Sequence, residues 1–256
     1  MTIAQSVDVY KNLRGTMNIK HIEVFECVES TMDIAERYVQ ESRYDDHFLI
    51  LAETQSKGKG RKGNFWVSPK GGLWFSLGMN HISRQQAFTL FIGYCVLKSL
   101  SELTNTCAYK IKWPNDIYME NKKICGLYCS QYVQHHKTIV GIGINTNVSD
   151  TPFGVLLNAD SISNLLGITI QNDIYLEAIV NRIFDNLDVF EDKGILLFSD
   201  CYHEHDFLKD KNIQVVTDKD TVSGLYQGIN KDGALILKNQ ASDIQYIYAG
   251  SIEIME

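Results

Sequence analysis

His47-Phe-Leu-Ile-Leu-Ala-Glu53 runs into Gln55-Ser-Lys-Gly-Lys-Gly-Arg-Lys-Gly-Asn-Phe-Trp-Val-Ser-Pro69, and how this junction is read decides the fold. The first half is a continuous apolar run of strand length, the pattern of a strand buried on both faces. The second half holds four cations (Lys57, Lys59, Arg61, Lys62) and three glycines (Gly58, Gly60, Gly63) without an acid. The chain as a whole carries −7, so this basic cluster is local. Glycine permits close backbone approach and a left-handed φ, which lets successive N–H groups turn toward one anion. A buried strand that delivers such a turn at its C-terminal end predicts an α/β sheet with a ligand at that end.

Two common readings of the glycines fail on context. Gly58-x-Gly60-x-x-Gly63 matches the dinucleotide fingerprint, but that motif opens a helix and needs an acid about 20 residues on. Here Phe65-Trp-Val-Ser-Pro69 follows, and no acid occurs between Lys57 and Arg84. A Walker loop would place Lys-Ser/Thr after Gly63, where Asn64 stands. A solvated basic turn remains open as the alternative.

Upstream, His21–Val28 reads as a strand, and a helix follows Glu29-Ser-Thr31 to about Arg43, with Ile34, Ala35, Tyr38 and Val39 on its apolar face. Ser30 and Thr31 are both N-cap types; one caps, which leaves the other hydroxyl for a ligand. Downstream, Gly72–Met79 predicts a strand and Ser83 to about Thr104 a helix capped by Ser83. Tyr109-Lys-Ile-Lys-Trp-Pro-Asn-Asp116 is a strand stopped by a proline that has no donor. Lys112, Asn115 and Asp116 then gather at its end, where Asn and Asp oxygens suit either Mg²⁺ with phosphates or plain turn chemistry. A hairpin at Glu120-Asn-Lys122 returns Lys123 to the same place, and His135-His136 marks another turn. Val140-Gly-Ile-Gly-Ile-Asn145 puts glycines on one strand face, a floor for something flat, closed by Asn145. The loop to about Ser161, with Pro152 and Gly154, is expected to be a flap, and helices are expected over Ile162–Gly167 and Asp173 to about Asp192. From about Phe207 short alternating strands with tight turns predict a small antiparallel barrel. The expected division is an arm at 1–20, a catalytic domain at 21–206 and a barrel domain at 207–256.

Composition narrows the classes. The chain is 45% hydrophobic and 21% charged, as ordinary globular proteins are. Its pI near 5.5 argues against a general nucleic-acid binder. No apolar run is long enough to predict a membrane span, and the N-terminal segment lacks a signal-peptide core. Six irregularly spaced cysteines fit reduced thiols and a cytoplasmic location. Cys201-Tyr-His-Glu-His205 resembles a metal site but lacks a second ligand pair.

With these segments placed, the chain resembles biotin protein ligases from about residue 21 onward. The residues that carry the resemblance are Glu29-Ser-Thr31, Gln55-x5-Arg61-Lys-Gly63, Trp66-x-Ser-Pro69, Lys112-Trp-Pro-Asn-Asp116, Lys123-x-x-Gly126, Gly141-x-Gly-Ile-Asn145 and Gly228-Ile-Asn-Lys-Asp-Gly-Ala-Leu235. The resemblance implies an α+β fold: a mixed sheet flanked by helices, akin to class II aminoacyl-tRNA synthetases, with a C-terminal SH3-like barrel. It implies an enzyme that converts biotin and Mg-ATP to biotinyl-5′-AMP and transfers biotin to a lysine of a carboxylase acceptor domain. It implies catalysis by Lys123 and Arg61. Biotin is expected at Ser30, Thr31, Gln55, Lys59, Gly60, Arg61, Lys123 and Gly126. ATP is expected at Arg61, Trp66, Lys112, Asn115, Asp116, Gly143 and Asn145, with Mg²⁺ at Asp116. The sequence departs from the family pattern at Lys59, where arginine is usual, and at Met32, where asparagine is frequent. The family's N-terminal DNA-binding module is not recognised, so no DNA partner is expected; a homodimer is allowed. Lipoate–protein ligase, on the same catalytic fold, and a non-catalytic biotin or adenylate sensor are the alternatives.

Overall fold

The computed structural model describes residues 17, 19–83, 85–149, 158–239 and 241–255. The expected arm at 1–20 lies almost wholly outside these, and so does most of the expected flap before Ser161.

In chain order the elements of the first part are β1 (His21–Val28), α1 (Thr31–Gln40), β2 (Phe48–Lys59), β3 (Phe65–Ser68), β4 (Leu73–Met79), α2 (Phe88–Thr104), β5 (Tyr109–Lys112), β6 (Asp116–Met119), β7 (Lys122–Tyr132), β8 (Lys137–Ile144), α3 (Ile162–Leu166), α4 (Asn172–Lys193) and α5 (Ser199–Glu204). The strands form one mixed sheet in the order β1-β2-β4-β8-β7-β6-β5, with β3 paired to β2. Among these described strands only β1 and β2 pair in parallel, with Val24 opposite Leu51 and Val28 opposite Gln55. α1 lies on one face, where Ile34, Ala35, Tyr38 and Val39 pack on Phe48, Ile50 and Ile139. α2 and α4 cover the other face, with Phe91 and Phe190 stacked at 4.3 Å. The expected α+β arrangement, a mixed sheet flanked by helices, is the one observed.

Two local expectations give way. Gln55–Lys59 is the end of β2, and β3 folds back on it, with Gly58 opposite Trp66 and Lys59 opposite Phe65. The basic stretch is therefore the tip of a hairpin rather than an open turn: Gly60 N donates to Asn64 O at 2.8 Å and closes it. Ser83 does not cap α2. Its hydroxyl accepts from Gln85 N at 3.1 Å, and the helix begins only at Phe88.

After α5 the chain adds to the edge strand β5: Ile111 N donates to His205 O at 2.7 Å and Phe207 N to Ile111 O at 3.0 Å. It then forms β9 (Asn212–Val216), β10 (Thr221–Ile229), β11 (Leu235–Lys238), β12 (Ile244–Ile247) and β13 (Ser251–Ile254). Their antiparallel order, β12-β11-β10-β9-β13, is consistent with an SH3-like fold. Ile213, Val215, Leu235 and Leu237 continue the apolar core of the large sheet. Trp113 Nε1 donates to Gly233 O at 2.9 Å in the buried seam between the two sheets. Trp113→Phe keeps an aromatic ring and orphans that carbonyl, so about 1–3 kcal/mol should be lost. Urea denaturation would read this as a lower midpoint at unchanged slope. Among the described residues no helix is long and apolar enough to cross a membrane.

Candidate functional site

A cleft of about 270 Å³ opens where the C-terminal end of β2, the hairpin tip, the start of α1 and the ends of β5–β8 converge. Five cations line it, Lys59, Arg61, Lys62, Lys112 and Lys123. Lys59 and Lys62 pair with acids outside the lining, Asp33 and Asp218, which leaves Arg61, Lys112 and Lys123. Charges of one sign crowd together here because each comes from a different element, brought to one place by the sheet order.

One end of the cleft is neutral and polar. Ser30 is the N-cap of α1, its hydroxyl accepting from Met32 N at 3.3 Å. A hydroxyl that accepts still has its own proton to donate. Thr31 is buried at 3% exposure and belongs to a one-way hydrogen-bond relay. Ser76 Oγ donates to Thr31 Oγ1 at 2.8 Å, Thr31 Oγ1 to Gln55 Oε1 at 3.1 Å, Gln55 Nε2 to Ser68 Oγ at 2.7 Å, and Ser68 Oγ to Trp66 O at 3.2 Å. Thr31 N also donates to Gln55 Oε1 at 2.8 Å, which fixes the amide with its oxygen toward α1. The Gln55 amide nitrogen keeps a second hydrogen for a ligand.

The floor is built as expected but is covered by the protein itself. Gly126 on β7 lies opposite Gly143 on β8. A methyl group on Gly143 would sit 2.5 Å from Trp66 Nε1, and one on Gly126 would sit 2.8 Å from the same indole. The flat body on the glycine floor is thus the ring of Trp66, whose buried N–H has no hydrogen-bond partner. Met32 fills the place beside it, with its sulfur where a side chain on Gly141 would stand.

Lys123, just past the Glu120–Asn121 turn, places Nζ 2.8 Å from Asp116 Oδ1 and 5.2 Å from the centre of the Trp66 ring. The Asp116 oxygen is buried and, though in ionic contact, lies off the angle of a hydrogen bond. Lys112 Nζ donates to Ile252 O at 3.3 Å and lies 5.4 Å from the centre of the Tyr118 ring. Burial lowers its pKa, partly offset by Asp116.

Four expected ligand residues have partners within the protein. Lys59 lines the cleft, and its ammonium pairs with Asp33 and Glu36 on α1. The hydrogen bond to Asp33 raises its pKa. A flexible, solvated lysine on the hairpin meets the acids of the adjacent helix first. Asn115, expected among phosphate and Mg²⁺ ligands, gives its carbonyl oxygen to Arg61 Nη1 at 2.9 Å and its amide nitrogen to Leu127 O at 2.9 Å. Thr31 spends its hydroxyl proton inside the relay, so it works on a ligand through Gln55 or by accepting. Asn145 is buried behind the floor, its amide donating to Asp160 O at 2.9 Å and Lys123 O at 3.4 Å. Any nucleotide contact by Asn145 falls to its carbonyl oxygen.

Sequence reasoning missed the cleft wall formed by Gly250, Ser251 and Ile252. The alternation of Ser251-Ile-Glu-Ile254 was the available signal, but so short a stretch does not set a period. Among the described residues no three His, Cys, Asp or Glu side chains gather as a metal site. Within Cys201–His205, the His205 ring nitrogen Nδ1 lies 2.7 Å from Tyr109 O.

The cleft thus joins a neutral polar end to a cationic end at one edge of the mixed sheet. The chain matches the Biotin/lipoate A/B protein ligase family over residues 24–147 and the Biotin protein ligase C terminal domain over 210–255. It is similar to the bifunctional ligase/repressor BirA of Escherichia coli, at 23% identity over 89% of this chain and 72% of that protein. It is similar also to biotin–protein ligase 2 of Arabidopsis thaliana, at 29% identity over 69% of this chain and 59% of that one. The biotin protein ligase of Aquifex aeolicus, solved in complex with biotin and ATP, superposes with a TM-score of 0.80 at 26% identity, covering 93% of this chain and 99% of that one. The chain belongs to the biotin protein ligase family.

Proposed function

We propose that this protein activates biotin with ATP to biotinyl-5′-AMP and transfers the biotinyl group to a lysine of a carboxylase acceptor domain. The observation that carries this reading is the joining of a fixed neutral relay to three cations within one cleft. The fused ring's uncharged ureido group needs donors and acceptors without net charge, which Ser30, Thr31 and Gln55 supply. A lipoyl ring has no group to use that relay, so it favours biotin over lipoate.

The first step brings two anions together. A carboxylate oxygen of biotin attacks the α-phosphorus, and the bond from that phosphorus to the bridging oxygen breaks with its electron pair leaving on pyrophosphate. Positive charge held at the cleft offsets the repulsion. Lys123 is assigned to the attacking carboxylate and α-phosphate, Arg61 to the adenylate phosphate and Lys112 to the departing phosphates. Trp66 must leave the glycine floor to admit the ligand, and its free indole N–H is then available to it. In the second step a neutral lysine amine of the acceptor attacks the acyl carbon and AMP leaves; the amine's proton passes to solvent.

Magnesium enters as the partner of ATP. Asp116, the acid among the described residues lining the cleft, is the residue that would hold a hard cation brought by the nucleotide, sharing its charge with Lys123. Such an ion would supply charge neutralisation at the phosphates. A cytoplasmic site of action is part of the same proposal, supported by six cysteines that are all free thiols.

Mass spectrometry after incubation with biotin, Mg-ATP and a biotin-acceptor domain tests the proposal. The expected result is a gain of one biotinyl group on a single acceptor lysine. An acceptor of unchanged mass, with biotin still bound by the protein, would leave a sensor instead. Thr31→Val keeps shape and removes the relay's first two links, from Ser76 and to Gln55. The KM for biotin should rise on the order of tenfold, as when one buried hydrogen bond is left unmade. An unchanged KM would remove the relay from biotin recognition.

A further inference from the structure

The four cations of the hairpin do not meet equivalent partners. Lys57 Nζ lies 3.1 Å from Glu29, Lys59 pairs with Asp33, and Lys62 Nζ lies 3.0 Å from Asp218 in the turn between β9 and β10. Among the described residues of this hairpin Arg61 alone is a cation held by a neutral group, the Asn115 amide at 2.9 Å. Asn115 in turn is fixed twice to one residue of the floor strand: its Nδ2 donates to Leu127 O, and its backbone oxygen accepts from Leu127 N, both at 2.9 Å. The guanidinium, on a glycine-flanked tip, is therefore tied to the rigid sheet by a group that holds it without cancelling its charge.

We propose that Asn115 is a positioning residue: it parks the Arg61 guanidinium at the cleft, still fully charged, for delivery to the phosphate of the nucleotide. This rests on the ligase reading above. A carboxylate at the same point would hold the guanidinium more tightly, through a charge-assisted and potentially bidentate contact, and would compete with the incoming phosphate. An alanine would let the tip go. The amide is the intermediate choice, strong enough to orient and weak enough to yield. Its neighbour Asp116 is already in contact with Lys123, so the two adjacent side chains divide their work. Asn115 serves the arginine and Asp116 the lysine.

Asn115→Asp is nearly isosteric and separates this role from that of a magnesium ligand, because the two predict opposite signs. Adenylate formation is followed by pyrophosphate release from biotin and ATP at low ionic strength, in the wild-type and Arg61→Gly backgrounds. Positioning predicts a KM for ATP raised on the order of tenfold with Arg61 present. That rise shrinks in added salt and is absent when Arg61 is gone, since a pairwise term disappears with its partner. An equal rise in both backgrounds, or none in either, overturns the proposal. So does a lower Mg²⁺ concentration for half-maximal activity, which would make residue 115 a metal ligand. Thermal melting checks the variant's fold. Should it fail, Asn115→Ala in the same two backgrounds takes its place, with a smaller rise in KM for ATP again confined to the background that retains Arg61. Wild-type protein that releases no pyrophosphate would instead defeat the ligase reading, and does so independently of either variant.

Discussion

Lys123→Ala should retain the fold and lose adenylate formation by a factor on the order of 10²–10³, the usual effect of removing one preorganised charge at a transition state. The structure gives that charge three restraints. Lys123 follows a tight turn at Glu120 and Asn121, both with positive φ, its ammonium touches Asp116, and the Trp66 ring lies alongside. Removing it strands the Asp116 carboxylate, so some loss of stability accompanies the loss of rate. The Lys123 and Asp116 side chains retain partial solvent access, 28% and 18%. Solvent screening keeps that loss well short of the cost of breaking a fully buried pair. Pyrophosphate release measured beside thermal melting separates the two effects. A folded variant that forms adenylate at close to the normal rate would leave Lys123 with a structural role only.

Arg61→Gly should raise the KM for ATP and still form adenylate, with its larger effect on keeping the intermediate. An acyl-adenylate is a reactive mixed anhydride that must survive until the acceptor docks, so the cleft must hold it and exclude water. Arg61 has the planar, always-charged fork suited to its phosphate, and it lines the cleft from the hairpin tip. Losing one charge-assisted contact costs about 1.5–3 kcal/mol, roughly tenfold to a hundredfold or more in retention. The variant should still form adenylate and release it, and the escaped anhydride should biotinylate exposed lysines of bystander proteins. Serum albumin incubated with the variant, biotin and ATP, then probed for biotin, is the readout. Unlabelled albumin beside continued adenylate formation would make Arg61 a catalytic cation without a gating role.

Much of this architecture was legible because its elements carry strong local patterns. The apolar run from Phe48 to Leu51 and the amphipathic face of α1 each had one physical solution. Pro114, without a donor, ended β5 where expected. The misreadings occurred where a distant partner decides. Gln55–Lys59 has the composition of a turn, yet it is strand because Phe65–Ser68 lies beside it. The pairing of Lys59 with Asp33 and Glu36, one helical turn apart on α1, was likewise not visible in the sequence. The glycine floor was readable from Val140–Asn145, but its occupant was not, because Trp66 belongs to a strand remote in the sequence and no local pattern links the two. Ser251–Ile254 was too short to show a period, although its position beside β9 completes the small sheet and the cleft wall.

The relay from Ser76 through Thr31, Gln55 and Ser68 to the carbonyl of Trp66 has a consequence for how such a chain can change by descent. Each member is held by the one before it and holds the one after, and they come from a helix and three strands that follow one another in the chain. A substitution at any one strands a polar atom elsewhere, so its effect depends on the state of the others. Single steps are penalised, and the compensating step lies on a different element. Variation in substrate preference should therefore enter this lineage through the residues around the relay, Met32 among them, while the relay itself changes only as a set.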